Sequence, residues 1–203
     1  MTSHFLNLVF TPSVKAAQEQ NGSRHAYARR DGATDADRLT ENEVHFIGTR
    51  DSIYLASIGA GGWPYIQHRG GPPGFIKVLD PQTIGFADFR GNRQYVSVGN
   101  FADDNRVALF MMDYARRARL KLLGRARAVD LADASDLAAA LIDVDYGAKV
   151  ERGIIIDIEA FDWNCPQHIT PRFSLAEIEP SIAALKARIA ELEGQVSCRQ
   201  QGA

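Results

Sequence analysis

The chain has 203 residues, 45% of them hydrophobic and 24% charged, which fits one globular domain with or without appendages, long enough to bury a core without staples. A formal net charge of −2 excludes bulk attraction to nucleic acid or anionic membrane, so any anion site must be a local cluster of cations. The two cysteines, Cys165 and Cys198, exclude a disulfide framework, and with no basic-then-apolar leader and no apolar run near ~20 residues the expectation is a cytoplasmic protein.

Thr11-Pro12 marks a helix start, Thr as N-cap and Pro at the first helical position, running to about Gln20 and stopping at Asn21-Gly22. Residues 22–38 are polar and predict a loop, whose Arg24, His25, Arg29 and Arg30 either reach an anion or lie solvated on the surface. Thr40 and Glu43 form a capping box, and Leu39 and Val44 a hydrophobic staple, so a short helix is expected over residues 40–49. Residues 52–58 read as a strand, and Gly59-Ala60-Gly61-Gly62 as a hairpin turn. These glycines are not a dinucleotide loop, because a strand rather than a helix follows them.

Trp63 to Arg69 is the next strand, with Tyr65, Gln67 and Arg69 on one face and Ile66 and His68 on the other. The run GGPPG at residues 70–74 ends it. Phe75 to Leu79 and Thr83 to Asp88 are further strands, so four short strands at hairpin spacing predict an antiparallel sheet or barrel. Phe89-Arg90-Gly91-Asn92-Arg93 breaks the pattern, and helical spacing after it predicts a helix over residues 92–102. Backbone N–H groups at that helix start, with Arg90, Asn92 and Arg93, make an anion pocket; the alternative is that the arginines pair with Asp88, Asp103 or Asp104.

Arg106 to Tyr114 is a long apolar strand, expected to be buried on both faces. After a basic turn at 115–118, Arg119 to Val129 is a strand with Arg119 and Lys121 on one face. Such basic density suggests RNA, but no aromatic residues interleave it as in single-strand binders, and cations offered to a small ligand fit better. Residues 133–143 predict a helix, Gly153 to Phe161 a buried strand, and residues 162–173 an irregular segment rich in large polar-tipped side chains. Leu175, Ile178, Ile182, Leu185, Ile189, Leu192 and Val196 alternate spacings of 3 and 4. That heptad seam needs a partner surface, either its own barrel or the same helix of a second subunit. Pro180 is expected to start or kink this helix and Gly194 to end it, leaving the last six residues disordered. The parts expected are an extension over 1–38, a central domain over 39–173 and a C-terminal helix and tail over 174–203.

Familiar catalytic devices are missing from the sequence. Ser97 lacks the leading glycine of a nucleophile elbow, and Cys165 and His168 are a lone pair of ligand types, so no metal is expected. The remaining cations and amides suit flavin mononucleotide (FMN). Arg69, Arg90, Asn92 and Arg93 serve its phosphate, and Tyr65 and Gln67 line the ring. Arg119 or Lys121 stabilises the reduced anionic ring, while Trp163 and His168 close the site.

The block WPYIQHRGG…GFADFRGNRQYVSVGN…RLKLLGRARAV, with the order of elements around it, resembles the pyridoxamine 5′-phosphate oxidase-like, FMN-binding split-barrel family over roughly residues 40–173. The resemblance implies a mainly β fold with flanking helices: a six-stranded antiparallel split β-barrel, paired as a homodimer with two FMN at the interface. Gln67, His68 and Arg69 match the family's first basic phosphate position, and Gly91-Asn92-Arg93 its Ser-Arg-Lys triplet. Arg119 falls near a Gln donated by the partner chain, Trp163 matches a C-terminal Trp, and Arg172 is a weaker match to a trailing Arg. Gly and Asn replace the first two residues of the triplet, and Gln67 and Pro72 replace the Arg and Lys of the vitamin B6 oxidases, so a different substrate is expected. The expectation is an FMN-dependent oxidoreductase acting on a small molecule that His168 or Arg172 positions. The alternative is a binding or sensor module of the same fold, holding flavin, haem or a deazaflavin without turnover.

Overall fold

The computed structural model describes residues 4–28, 35–163 and 166–201, with side chains through residue 195. Arg29, Arg30 and Cys165 lie outside the described residues, as do the side chains of Val196 and Cys198. The chain divides into two compact units, one of residues 1–113 with 118–166, the other of residues 114–117 with 167–203.

The first unit opens with helices α1 (His4–Val9), α2 (Pro12–Gln20), α3 (Arg24–Tyr27) and α4 (Glu41–Gly48). Then come β1 (Ser52–Ile58), β2 (Pro64–Gly70), β3 (Lys77–Asp80), β4 (Thr83–Phe89), α5 (Val96–Asp103), β5 (Arg106–Asp113), β6 (Ala118–Val129), α6 (Ser135–Leu141) and β7 (Val150–Trp163). The expected helix starts form as their chemistry requires. Thr11 Oγ1 accepts the N–H of Val14 at 3.3 Å, and the Glu43 carboxylate accepts the N–H of Thr40 at 2.9 Å and its hydroxyl at 2.5 Å. Of the predicted staple, Leu39 enters the core but Val44 stays 40% exposed. Helix α1 forms where no helix was expected, and α3 forms within the expected loop, its N-cap Ser23 making no side-chain capping bond.

All seven strands join one antiparallel sheet in the order β2-β1-β5-β6-β7-β4-β3, open at its two ends. The resemblance implies six strands, whereas the seven segments read as strands in the sequence all form, the shortest being the four-residue edge strand β3. That strand begins at Lys77, because Phe75 and Ile76 are drawn into the core instead. Register fixes the two faces of the sheet. Leu55, Leu109 and Leu122 are cross-strand partners on the buried face, while His68, Tyr54, Phe110 and Lys121 are partners on the other. Strand β5 is therefore not buried on both faces as expected: its residues alternate between buried and half-exposed. Gly62 closes the β1–β2 hairpin at φ +79°, a conformation that costs glycine no steric strain.

Two further boundaries differ from expectation. The helix predicted over 92–102 starts at Val96, because Arg93 and Tyr95 adopt left-handed backbone at φ 60° and 54° and so cannot extend it. Strand β7 starts at Val150, three residues before the predicted Gly153. In the second unit, α7 (Leu175–Gln201) runs unbroken through both Pro180 and Gly194 and across most of the tail expected to be disordered.

Candidate anion-binding cleft

Strand β2 supplies Tyr65, Gln67 and Arg69, the β4–α5 connection supplies Asn92, Arg93 and Tyr95, and the start of β7 supplies Glu151. With Asp88 and Val98 they line a cleft of about 180 Å³. A hollow of about 240 Å³ adjoins it, sharing Gln67 and Arg69 and adding His68, Phe75, Phe86 and Arg90. Ser97 Oγ donates to Gln67 Oε1 at 3.1 Å, so the first turn of α5 orients that amide.

The charges here are interleaved. Arg69 donates to Asp88 at 2.5 Å, and Arg90 Nε to Glu151 at 2.9 Å. Arg152 lies 3.5 Å from each of these carboxylates, and its guanidinium stacks 4.8 Å above the Tyr95 ring. Arg93 Nε donates to the Tyr95 hydroxyl at 3.0 Å, which donates to Glu151 at 3.3 Å. The pairing alternative holds for neither of its arginines with the acids named: Arg90 pairs with the unforeseen Glu151, Arg93 bonds to Tyr95, and Asp88 is taken by Arg69. Asp104 pairs with Arg106 instead, whose hydrogen bonds hold its carboxyl at about 2.

The lining of the cleft carries two guanidiniums, Arg69 and Arg93, and two carboxylates, Asp88 and Glu151. Arg90, at the adjoining hollow, and Arg152, stacked on Tyr95, pair with the same two acids, so the surrounding cluster holds four cations to two carboxylates. Burial pushes the Asp88 carboxyl above its ordinary range, with Arg69 and Arg152 pulling it back. Hydrogen bonding from Arg90 holds Glu151 below its range. Arg69 Nε and Arg152 Nε are buried and make no hydrogen bond, so two donors remain unused. Two non-glycine residues in left-handed conformation within three positions, Arg93 and Tyr95, put local backbone strain at the same spot.

Other predicted residues lie elsewhere. Arg119 and Lys121 project from the outer face of the sheet, opposite in register to Met112 and Phe110, whereas Gln67 belongs to the buried-face row of Leu55 and Leu109. In one chain they cannot meet Gln67 and Arg69. Lys121 pairs with Asp162 at 2.8 Å, and Arg119 stacks over Phe110. Trp163 packs edge-on against Phe46, and its Nε1 donates to Glu43 at 2.6 Å. His168, at φ 62°, and Arg172, stacked over Tyr114 at 5.0 Å, belong to the second unit. Glu151 and Arg152 are the functional candidates that sequence reasoning missed. Their signal is a charged pair placed directly ahead of the β-branched run GIII.

Among the described residues no group of three or more His, Cys, Asp or Glu is placed to hold a metal, and no helix is long and apolar enough to cross a membrane.

A sequence profile described as pyridoxamine 5′-phosphate oxidase matches residues 39–189. No curated protein sequence matches the chain. Among solved structures, a protein of Lactobacillus delbrueckii provisionally assigned as pyridoxamine 5′-phosphate oxidase is 23% identical, with 62% of this chain and 93% of that one covered and a TM-score of 0.47. HupZ of Group A Streptococcus is 15% identical, covering 66% and 100%, with a TM-score of 0.47. An F420 reductase is 16% identical, covering 61% and 98%, with a TM-score of 0.42. At TM-scores below 0.5, none of the three informs the chemistry of this chain.

Proposed function

Because the chain belongs to the pyridoxamine 5′-phosphate oxidase family, its profile spanning residues 39–189, we propose that it is an FMN-dependent oxidoreductase acting on a small molecule as a homodimer. The observation that carries this reading is the cationic cluster around the cleft: four guanidiniums share two carboxylates, and Arg93 in the lining is bonded to a neutral hydroxyl. Such a cluster suits a phosphate monoester, which carries about −1.5 to −2 near neutral pH and three acceptor oxygens. Arg93 and Asn92 hold that group from the loop, and Arg69 from the strand.

The cleft of about 180 Å³ and the hollow of about 240 Å³ beside it lie together near the lower end of the roughly 300–1,000 Å³ of ligand pockets, and a second copy would complete the wall of the ring. The outer sheet face offers half-exposed Phe110 and Met112 beside Arg119 and Lys121. In a dimer that face brings these cations to the partner's ring, where Arg119 or Lys121 stabilises the negative charge of reduction. Bound FMN supplies a ring that accepts or donates a hydride. The residues of this chain hold and orient it and set the local charge.

The visible spectrum of the purified protein tests this. Oxidised-flavin bands are expected, bleached on adding NADH or NADPH. A Soret band would point instead to a haem module of the same fold, and a colourless protein that takes up no FMN would overturn the reading. Arg93→Ala should weaken FMN binding roughly tenfold, since one charge-assisted contact is lost from an exposed loop. An unchanged titration midpoint would remove Arg93 from the phosphate site.

A further inference from the structure

The C-terminal helix carries an apolar stripe that the flavin reading does not use. Leu175 is 80% exposed, Ile182 41%, Leu185 65%, Ile189 54% and Leu192 43%. In heptad terms Leu175, Ile182 and Ile189 occupy a, and Ile178, Leu185 and Leu192 occupy d. A helix does not hold such a stripe in water through propensity alone. This one also contains Pro180 and Gly194, both poor helix formers. Both fall at f, the position farthest from a facing helix. The residues that weaken the helix therefore sit where a partner would not feel them.

We propose that α7 pairs with α7 of a second copy of this chain as a parallel two-stranded coiled coil. Two features select this occupant and this orientation. β-Branched Ile at the central a positions, with Leu at the central d positions, is the combination that favours parallel pairs over larger bundles. Charge agrees. Arg188 is at g and Glu193 at the following e, five residues on. In a parallel pair that sets Arg188 against the partner's Glu193, and by symmetry does so twice. Within one chain Arg188 reaches Glu191, at c on the outer face, at 2.5 Å; that exposed bond is shared or exchanged when Arg188 meets the partner helix. At the other g–e pairs a charged residue meets a small uncharged one, Glu179 against Ser174 and Lys186 against Ser181, so no like charges oppose each other.

The pairing can be read by cross-linking in the full-length chain. In a Cys165→Ser, Cys198→Ser background, Leu192→Cys is expected to give a disulfide-linked dimer on mild oxidation, because d residues of equal number meet across a parallel seam. Ala187→Cys, at f, is expected to give none. Glu193→Arg added to Leu192→Cys should lower the cross-linked yield, and Arg188→Glu added to that should restore it. Rescue separates the seam from general misfolding. Equal cross-linking at 187 and 192 would overturn the proposal. So would linkage of Leu192→Cys chains only to Leu175→Cys chains, which marks an antiparallel pair, or no linkage at all. None of these outcomes depends on flavin, so loss of colour and loss of pairing are distinguishable.

Discussion

Arg69→Met is expected to destabilise the protein by about 3 kcal/mol near pH 7.5, since it takes one partner from a buried ion pair. The side chains concerned are 18% and 6% exposed, so little solvent screens the Asp88 carboxylate left behind. Arg152 remains, but at 3.5 Å it is a poor substitute for a 2.5 Å bond. The sign of the pH dependence follows. Asp88 titrates above its ordinary value in the fold because burial disfavours its charge. A carboxyl raised in this way contributes stability that is full below the unfolded value, about 3.9, and is lost as pH rises through the folded value. Without Arg69 the folded value moves higher still. The deficit should therefore be small near pH 4 and grow toward pH 8. Urea midpoints measured across that range check this; a deficit independent of pH, or largest in acid, would show that Asp88 is not the group affected. The same variant should bind FMN more weakly.

Gly124→Val should cost about 3 kcal/mol, at the upper end for overpacking, or prevent folding. Gly124 is buried in β6 where the β6–β7 register shifts, its partner being Ile158 while Leu123 pairs with Ala160. A Cβ there would stand 2.5 Å from the carbonyl oxygen of Asp157 and 2.8 Å from Ile156 Cγ2. The first obstacle is backbone and cannot swing aside. The extra residue of the shift, Glu159, turns its carbonyl to the N–H of Asp37 at 2.9 Å, and Asp37 in turn accepts the N–H of Phe161 at 3.0 Å. Forcing the strands apart here would strain the tie between the N-terminal segment and the sheet. Gly147→Ala, where nothing lies within 4 Å, serves as the control and should stay within ~0.5 kcal/mol of the parent. Chemical denaturation compares the three proteins, and a Gly124→Val midpoint equal to the control's would rule out the clash.

Most of the sheet was legible because its signals are local. Alternation in YIQHR and RLKLL states which residues share a face, and the Thr40–Glu43 box and Thr11-Pro12 state where helices begin. Local rules also grouped Tyr65, Gln67, Arg69, Arg90, Asn92 and Arg93 about one ligand; all but Arg90 line one cleft, and Arg90 lines the adjoining hollow, paired with Glu151.

What the sequence determined alone is therefore the strands, their faces and the cationic character of the 89–93 turn, since each depends on neighbours a few bonds away. Tertiary structure decided the rest. Only β7 pairing with β4 brings Glu151 and Arg152 against Asp88 and Arg90 from some sixty residues earlier. Only left-handed backbone at Arg93 and Tyr95 delays α5 to Val96. Only the accumulated register of four strands sets Arg119 and Lys121 on the face opposite the cleft. Charge acts through space between groups that chain order keeps apart, so no local pattern could announce which arginine would answer to which acid.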